Sequence, residues 1–310
     1  MKEWIILVLI FTLMINFQSS LGQTTDQQFK IISASDFGCS SIAHDNIKQI
    51  IEKNPDLFLV PGDLGYDKDG ACWFKEAGVL DDITKIAIGN HDSAEEESKT
   101  LEKIYENHYK LKSPFYSFDI KDVHVLVIDT ELQPAKNDEQ YKFVVNDLQT
   151  SFTNPDIDWT IVMYHKPLYT SKSEHPPELE FRSLYHPIFD EYGVDLVLQG
   201  HNHIYERTYP IKYNPSDSNN PSISQTEPQN LKSDNIFKNT SPTFVTVGIG
   251  GRSHYNILDH PQYIAKQDNL HFGFLNIDVN KNYLKITYFR TDADEKPIVY
   301  DEFVIEKSNI

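Results

Sequence analysis

The chain has 310 residues, 39% of them hydrophobic and 12% aromatic, so it is long enough to bury one large core or two small ones. Its formal net charge of -18 argues against a protein that follows a nucleic acid backbone or binds an anionic membrane, because both would repel an acidic surface. The composition predicts a globular protein, and we interpret the charge as a source of solubility in the external medium.

The N-terminus has the features of an export signal. Residues 4–17 are apolar, and Ser20 and Gly22 are small residues before a cleavage site. We therefore predict a signal peptide over residues 1–22 and a mature chain that is secreted or otherwise extracytoplasmic. An uncleaved N-terminal anchor is the alternative, because Glu3 weakens the positive end of the signal, and only then do we expect contact with a membrane.

Strand-like and helix-like segments alternate through the first two-thirds of the chain. The strand-like segments are short runs rich in Ile, Val and Leu, which is typical of strands buried on both faces. In chain order we predict a strand at 29–34, a helix at 44–53, strands at 57–60 and 84–88, a helix at 94–109, a hairpin of 115–120 and 123–128, a helix at 138–148, a strand at 159–164, a helix at 181–192 and a strand at 194–198. This alternation predicts an α/β architecture.

The last third of the chain has a different character. Residues 213–242 are crowded with Asn, Ser, Pro, Gln and Asp and lack apolar periodicity, which predicts a long polar surface loop. It is too long for an ordinary connection, so it is either a functional rim or partly disordered. A second sheet of antiparallel strands is predicted from the alternating segments 244–247, 272–279, 283–289 and 298–305.

Two cysteines, Cys39 and Cys72, lie in the loops after the first two predicted strands. In an exported protein they could pair across neighbouring loops. The alternative is two isolated buried thiols, which pack as small apolar groups. The sequence leaves both readings open.

Polar side chains suited to metal ions follow five of the predicted strands. Each fragment alone has an ordinary explanation: Asn90 suits a turn, Asp63 suits a helix cap, and a lone His165 suits a core. Their joint placement favours a shared site, because the carboxyl ends of such strands meet at one crevice. The predicted metal ligands are Asp36, Asp63, Tyr66, Asn90, His165, His201 and His203.

The ligand types favour two metal ions that share one carboxylate. Cations about 3.5–4 Å apart need an anionic bridge, and Asp63 is the natural one. Neutral imidazoles and the amide oxygen of Asn90 suit transition metals better than Mg²⁺ or Ca²⁺. Gly38 stands where many such enzymes have a histidine, and it cannot bind a metal. Tyr66 compensates, because a phenolate selects a trivalent ion such as Fe(III), whose charge-transfer band would colour the protein.

These fragments resemble the five signature blocks of the purple acid phosphatases, within the calcineurin-like metallophosphoesterase superfamily. The blocks are Asp36-Phe37-Gly38, Gly62-Asp63-Leu64-Gly65-Tyr66, Gly89-Asn90-His91-Asp92, Val162-Met163-Tyr164-His165 and Gly200-His201-Asn202-His203, and all five are complete. The resemblance implies a four-layer αββα sandwich of two mixed β-sheets flanked by helices. It also implies that residues 27–308 form a single catalytic domain.

The resemblance further implies an exported acid phosphatase that acts on small phosphate monoesters through the attack of a metal-bound hydroxide on phosphorus. The first ion would be Fe(III) and the second Fe(II), Zn(II) or Mn(II), among which the sequence does not choose. The implied ligands are Asp36, Asp63, Tyr66 and His203 for the first ion and Asp63, Asn90, His165 and His201 for the second.

Two further histidines are candidates for the chemistry. His91 follows Asn90 and is implied to hold phosphate oxygens, and His91 and His175 are the candidate proton donors for the departing alkoxide. For His175 an exposed loop histidine is an equal alternative. The pair Glu206-Arg207, just after the last ligand pair, is predicted to orient His203 rather than to touch the substrate.

Two other functions stay open. One is a phosphodiesterase or nucleotide hydrolase on the same metal core, since loops around the site would set the preference. The other is a binding or sensing protein that kept the ligands and lost turnover, although the intact His91 favours an enzyme. The physiological substrate and the oligomeric state are left open.

Overall fold

The computed structural model describes residues 29–93, 95–225, 236–291 and 296–307. The predicted signal peptide over residues 1–22 lies outside these ranges. Within them, none of the helices combines the length and the apolar composition that crossing a membrane requires.

Strands and helices alternate from the start of the described chain, as the sequence predicts. The strands are β1 (Phe29–Ser33), β2 (Leu57–Val60), β3 (Thr84–Ile86), β4 (Tyr116–Ile120), β5 (Val123–Val127), β6 (Trp159–Met163), β7 (Leu196–Gln199), β8 (Tyr205–Thr208), β9 (Ile211–Lys212), β10 (Ser222–Ile223), β11 (Ile236–Lys238), β12 (Thr243–Val247), β13 (Ile264–Asp268), β14 (Phe272–Asn280), β15 (Tyr283–Thr291) and β16 (Ile298–Glu306). The α-helices are α1 (Ser41–Glu52), α2 (Ala71–Ala77), α3 (Asn90–Ser93), α4 (Glu95–Tyr109), α5 (Glu139–Phe152) and α6 (Leu179–Glu191), and a 3₁₀ helix covers Gly78–Ile83.

Most strands belong to two seven-stranded sheets. The first sheet has the order β11-β16-β15-β14-β1-β2-β3, in which β1, β2 and β3 are parallel and β14 runs antiparallel to β1. The second has the order β13-β8-β12-β7-β6-β5-β4, in which β12, β7, β6 and β5 are parallel. Both sheets are therefore mixed.

An apolar core joins the two sheets. Ile31 and Leu59 of the first sheet belong to the same buried cluster as Val125, Ile161 and Leu198 of the second. Successive strand residues point to opposite faces, so the neighbours of these residues project outward against the helices. Helices α1, α2 and α4 cover the outer face of the first sheet, and α5 and α6 cover the second. The predicted four-layer αββα sandwich is thereby confirmed.

The sequence missed several elements for identifiable reasons. Strand β8 has no apolar alternation, because its buried Glu206 and Arg207 are satisfied by hydrogen bonds and an ion pair instead. Where the structure describes it, at residues 213–225 and 236–242, the predicted loop contains two short strands: β10 pairs with β9, and β11 extends the first sheet beside β16. Short paired segments of this kind leave too few residues for a periodic pattern.

A disulfide bond joins Cys39 and Cys72. It links the loop after β1 to helix α2, across 33 residues of sequence, with the two Cα atoms 6.0 Å apart. Of the two readings that the sequence left open, the structure has the disulfide rather than two isolated thiols.

Candidate metal centre

The predicted ligands lie at one end of the two sheets. Asp36 follows β1, Asp63 follows β2, Asn90 begins α3 just after β3, His165 follows β6, and His201 follows β7. Because β1, β2 and β3 run parallel, as do β6 and β7, the loops after them gather at the carboxyl ends of the strands. The fold thus brings residues far apart in sequence to one crevice.

Four of these residues have a left-handed backbone. The φ angles are 59° at Asp36, 52° at Asp63, 59° at Tyr66 and 68° at His201. For a residue with a side chain this conformation costs of order 1–3 kcal/mol, and it persists only where the surrounding structure over-determines it. Such strain is concentrated at functional sites, and here it coincides with the residues that the sequence selected.

The carboxylate of Asp36 is fully buried and held in place from several sides. Its Oδ2 accepts hydrogen bonds from the Ser35 hydroxyl at 2.7 Å and from the His201 backbone N–H at 3.0 Å. Its Oδ1 accepts from the Tyr66 hydroxyl at 3.2 Å. A carboxylate oxygen of Asp36, a carboxylate oxygen of Asp63 and a ring nitrogen of His165 all lie within 4.8 Å of one another. Two buried carboxylates therefore share a small volume.

The imidazole of His165 points its Nε2 atom at oxygen atoms. Its Nδ1 donates to the carbonyl of Pro61 at 2.8 Å, and because a carbonyl only accepts, the proton sits on Nδ1. In the neutral ring Nε2 then presents a lone pair to Asn90 Oδ1 at 3.0 Å and to Asp63 Oδ1 at 3.4 Å. Lone pairs that face each other repel unless a proton or a metal ion lies between them.

His203 repeats this arrangement on the other side of the crevice. Its Nδ1 donates to the carbonyl of Ser253 at 2.7 Å, which leaves Nε2 facing inward. Nε2 lies 3.1 Å from the Tyr66 phenol oxygen and 3.5 Å from Asp36 Oδ1. The phenol donates a single proton, so the three groups are not all satisfied by hydrogen bonds to one another.

The pKa values of His165 and Tyr66 also indicate that the buried carboxylates lack a positive counter-charge. Burial acts to lower the pKa of His165, but the Asp63 carboxylate outweighs it and raises that pKa to about 10. Burial, then the carboxylates of Asp36 and Asp63, raises the pKa of the Tyr66 phenol. A metal ion releases such protons when it binds, because it takes over the role of the counter-charge. The oxygen and nitrogen donors therefore fit a metal centre.

His201 is held as a neutral ring. Burial lowers its pKa far below the ordinary value, and the nearby His165 and His175 lower it further. Neutral imidazole is the form that binds transition metals. The ring stands 5.0 Å from that of His165, edge to face, so both rings border the same crevice.

The two candidate catalytic histidines lie at the rim. The His91 side chain is exposed, its ring centroid is 4.4 Å from that of Tyr66, and its backbone N–H donates to Asp63 Oδ1 at 2.9 Å. His175 is partly buried and stacks on His201 with ring centroids 3.9 Å apart. Burial, then the proximity of His203, lowers the pKa of His175. His175 thus lies against a predicted ligand and is partly buried, and its catalytic role stays a prediction.

Glu206 does not orient His203, and that prediction is wrong. Its buried carboxylate accepts from the Thr170 hydroxyl at 2.7 Å and the Ser171 N–H at 2.9 Å. These bonds tie β8 to the segment after His165. The backbone carbonyl of Ser253 orients His203 instead.

Sequence reasoning also missed two residues that shape the site. Tyr255 stacks on His203 with ring centroids 4.0 Å apart and meets His175 edge to face at 5.4 Å. Burial, then the site carboxylates, raises its pKa to about 12. Asp92 is buried, and it accepts hydrogen bonds from the backbone of both the β2 and the β3 loops. Asp92 ends one of the signature blocks, whereas Tyr255 follows a Gly-rich turn that has no distinctive signal.

Comparison with known proteins agrees with this geometry. The family model described as calcineurin-like phosphoesterase matches residues 29–205, which include all five signature blocks. The chain belongs to the calcineurin-like phosphoesterase family.

Within that family the chain is similar to purple acid phosphatases. Purple acid phosphatase 21 of Arabidopsis thaliana is 27% identical over 207 residues, which cover 61% of this chain and 47% of that protein. A purple acid phosphatase of Glycine max is 30% identical over 215 residues, which cover 62% of this chain and 44% of that protein. The chain spans about half the length of these relatives.

A solved structure extends the likeness to the fold. The structure of purple acid phosphatase PPD1 from yellow lupin (Lupinus luteus) seeds superposes with a TM-score of 0.70 at 22% identity. The match covers 91% of this chain and 54% of that one. The shared fold thus extends beyond the residues that the family model matches.

Proposed function

We propose that this protein is a metal-dependent phosphatase that hydrolyses small phosphate monoesters with two metal ions bridged by Asp63. We assign Fe(III) to the ion at Tyr66 and Fe(II), Zn(II) or Mn(II) to the ion at Asn90. The ligands in this assignment are Asp36, Asp63, Tyr66 and His203 for the first ion and Asp63, Asn90, His165 and His201 for the second.

The observation that carries the proposal is that the metal-binding atoms of Asp36, Tyr66 and His203 point toward one another. The Tyr66 phenol lies 3.2 Å from Asp36 Oδ1 and 3.1 Å from His203 Nε2, with the proton of that histidine held on its far side by a carbonyl. The phenol has one proton for two acceptors, so its hydrogen bond leaves either the Asp36 carboxylate or the His203 lone pair without a donor from this group. A hard cation held by Asp36, Tyr66 and His203 would satisfy all three.

When bound, the two ions would supply Lewis acidity, which activates water and neutralises charge on the phosphoryl group. The protein contributes the rest. Exposed His91, beside Tyr66, is placed to donate hydrogen bonds to phosphate oxygens, and His175 to give a proton to the leaving oxygen. The carbonyls of Pro61 and Ser253 hold His165 and His203 in one tautomer, so little reorganisation is needed during the reaction.

We also propose that the protein is exported. The disulfide between Cys39 and Cys72 supports this, because disulfides persist mainly in oxidising compartments. The apolar segment at residues 4–17 supplies the signal. Producing the full chain with a C-terminal tag and sequencing the mature N-terminus tests this directly. A tagged protein retained in the cytoplasm with its first residue intact would contradict export.

The metal assignment is tested by metal content and visible absorption. We expect two metal ions per chain, one of them iron, and a charge-transfer band that Tyr66→Phe abolishes. Tyr283→Phe is the matched control, since Tyr283 begins β15 at the opposite end of the sheet. If the band survives Tyr66→Phe, or is lost equally in Tyr283→Phe, Tyr66 is not the ligand.

The activity is tested with esters of one phenol. We expect the metal-loaded protein to hydrolyse a mono-aryl phosphate faster than the bis-aryl phosphate. The reverse order would assign a phosphodiesterase. A fully loaded protein that hydrolyses no phosphate ester in a broad panel would instead be a binding protein.

A further inference from the structure

Arg252 stands at the mouth of the candidate metal centre. It follows the Gly-rich turn after β12, and its backbone N–H donates to the carbonyl of Asp36 at 2.9 Å. This bond fixes the start of the side chain beside a predicted metal ligand. The guanidinium carbon lies 4.6 Å from the centroid of the Tyr66 ring, and the Arg252 side chain is exposed.

The Arg252 guanidinium differs from two buried arginine side chains of the protein. Arg182 is buried and donates to the carbonyl of Leu168 at 2.7 Å, and Arg207 is buried and pairs with Asp301 at 2.8 Å. Among the residues that the structure describes, the Arg252 guanidinium has no carboxylate or carbonyl partner and lies against the Tyr66 ring, whereas Arg290 contacts the ring nitrogen of His271 at 3.2 Å. In a chain with a net charge of -18, this leaves an exposed guanidinium without an anionic partner beside the candidate metal centre.

A second positive charge near the crevice is already neutralised. Lys166, next to His165, pairs with Glu131 at 2.8 Å. The wall around His175 carries the exposed Glu174, whose negative charge repels an anion. An anionic group outside the two-metal centre is therefore attracted toward Arg252 and away from Glu174.

We propose that Arg252 binds a second anionic group on the leaving part of the substrate, such as the inner phosphate of a diphosphate. This rests on the proposed function, since the two metal ions and His91 would hold the reacting phosphoryl group. Arginine suits the task because its planar fork donates two parallel hydrogen bonds to a phosphate, and it never loses its charge. Stacking on Tyr66 keeps the fork at the mouth of the site at little entropic cost.

The test compares Arg252→Gln with wild type on two substrates. Phenyl phosphate carries no charge besides the reacting group, and inorganic pyrophosphate carries a second phosphate. We expect Arg252→Gln to lower kcat/KM on pyrophosphate about 10- to 100-fold more than on phenyl phosphate. Arg252→Lys should recover part of the loss, because it restores the charge without the fork.

Lys142→Gln is the control for net charge, because Lys142 is exposed on α5, the helix that covers the second sheet. It should change neither rate by more than about twofold. An equal loss on both substrates in Arg252→Gln, together with a shifted absorption band, would mean that Arg252 acts through Tyr66 and would overturn the proposal. Unchanged rates on both substrates would overturn it as well.

A binding measurement separates failure of this inference from failure of the proposed function. Calorimetric titration of the metal-loaded protein with phosphate and with pyrophosphate needs no turnover. If wild type hydrolyses neither substrate but prefers pyrophosphate, and Arg252→Gln removes that preference, the phosphatase assignment fails while the role of Arg252 stands. Equal preference in both proteins would refute the role of Arg252.

Discussion

Asp92 should be the residue whose loss most weakens the candidate site without removing a predicted ligand. Its Oδ2 accepts from the backbone N–H groups of Asp63 at 2.7 Å and Gly89 at 2.9 Å, and its Oδ1 accepts from Leu64 at 3.2 Å. One buried carboxylate thus holds the loop that carries Asp63 against the loop that carries Asn90. Burial, then the charge of Asp63, raises the pKa of Asp92 to about 8. Without a metal ion, holding two buried carboxylates this close together therefore disfavours the ionised form of Asp92.

Asp92→Ala would leave three buried N–H groups without a protein partner. Each unmade bond to a buried donor costs about 1–3 kcal/mol, and water entering the space left by the carboxylate recovers part of that. We therefore expect the free energy of unfolding to fall by about 3–5 kcal/mol, a large part of the stability of an ordinary domain. We also expect metal affinity to fall about 10- to 100-fold, because Asp63 and Asn90 lose their common support.

Asp92→Asn separates the hydrogen bonds from the volume of the side chain. An amide oxygen at the Oδ2 position keeps the bonds to Asp63 and Gly89, while the NH₂ group opposes the N–H of Leu64. We expect a loss of about 1–3 kcal/mol, between wild type and Asp92→Ala. Urea unfolding followed by fluorescence measures all three proteins, with the exposed Asp156→Ala as the control. An Asp92→Ala variant within about 1 kcal/mol of wild type would refute this reasoning.

Two further predictions concern stability away from the ligands. Replacing both Cys39 and Cys72 with serine removes a cross-link over 33 residues, and we expect a loss of about 3–4 kcal/mol in urea unfolding. Reductant should lower the stability of wild type to that of this variant, and a wild type insensitive to reductant would contradict the effect. Burial raises the pKa of Asp195 to about 7, so the stability from this group is greatest below its unfolded pKa near 3.8 and is lost as the pH rises through 7. Between pH 5 and pH 8 the free energy of unfolding of Asp195→Asn should fall by about 2–3 kcal/mol less than that of wild type. An identical fall in wild type and Asp195→Asn would exclude Asp195 as its source.

The parts of the fold that the sequence predicts well are those with a local cause. Strand β2 was predicted at its observed bounds, because four consecutive apolar residues lie between a turn and a Pro-Gly pair. Helix α5 begins after Asp138, whose side chain accepts from the N–H of Tyr141 at 2.6 Å, so an ordinary capping signal marks its start. Strand β8 was missed because its buried polar residues are satisfied by partners distant in sequence, among them Asp301.

The same division applies to the candidate site. The sequence identified side chains that converge in the structure, because their types and their places after strands are local properties. It did not identify what turns them toward one another. His165 is oriented by a carbonyl 104 residues away, and His203 by a carbonyl 50 residues away. Every residue carries a carbonyl, so such partners have no signature in the sequence.

Gly38 shows how backbone conformation also limits the choice of ligand. Its φ is 67°, and a Cβ built there would lie 3.6 Å from Arg252 and 3.8 Å from Tyr66, which is ordinary contact distance. Space therefore does not exclude a side chain at position 38, but the left-handed backbone disfavours one. Gly38 has no side chain that could bind a metal ion, and the nearby group that could is the Tyr66 phenol. Tyr66 also has a left-handed backbone, and its hydroxyl contacts Asp36. In the proposed metal centre, the Tyr66 phenol would therefore supply the donor that Gly38 lacks.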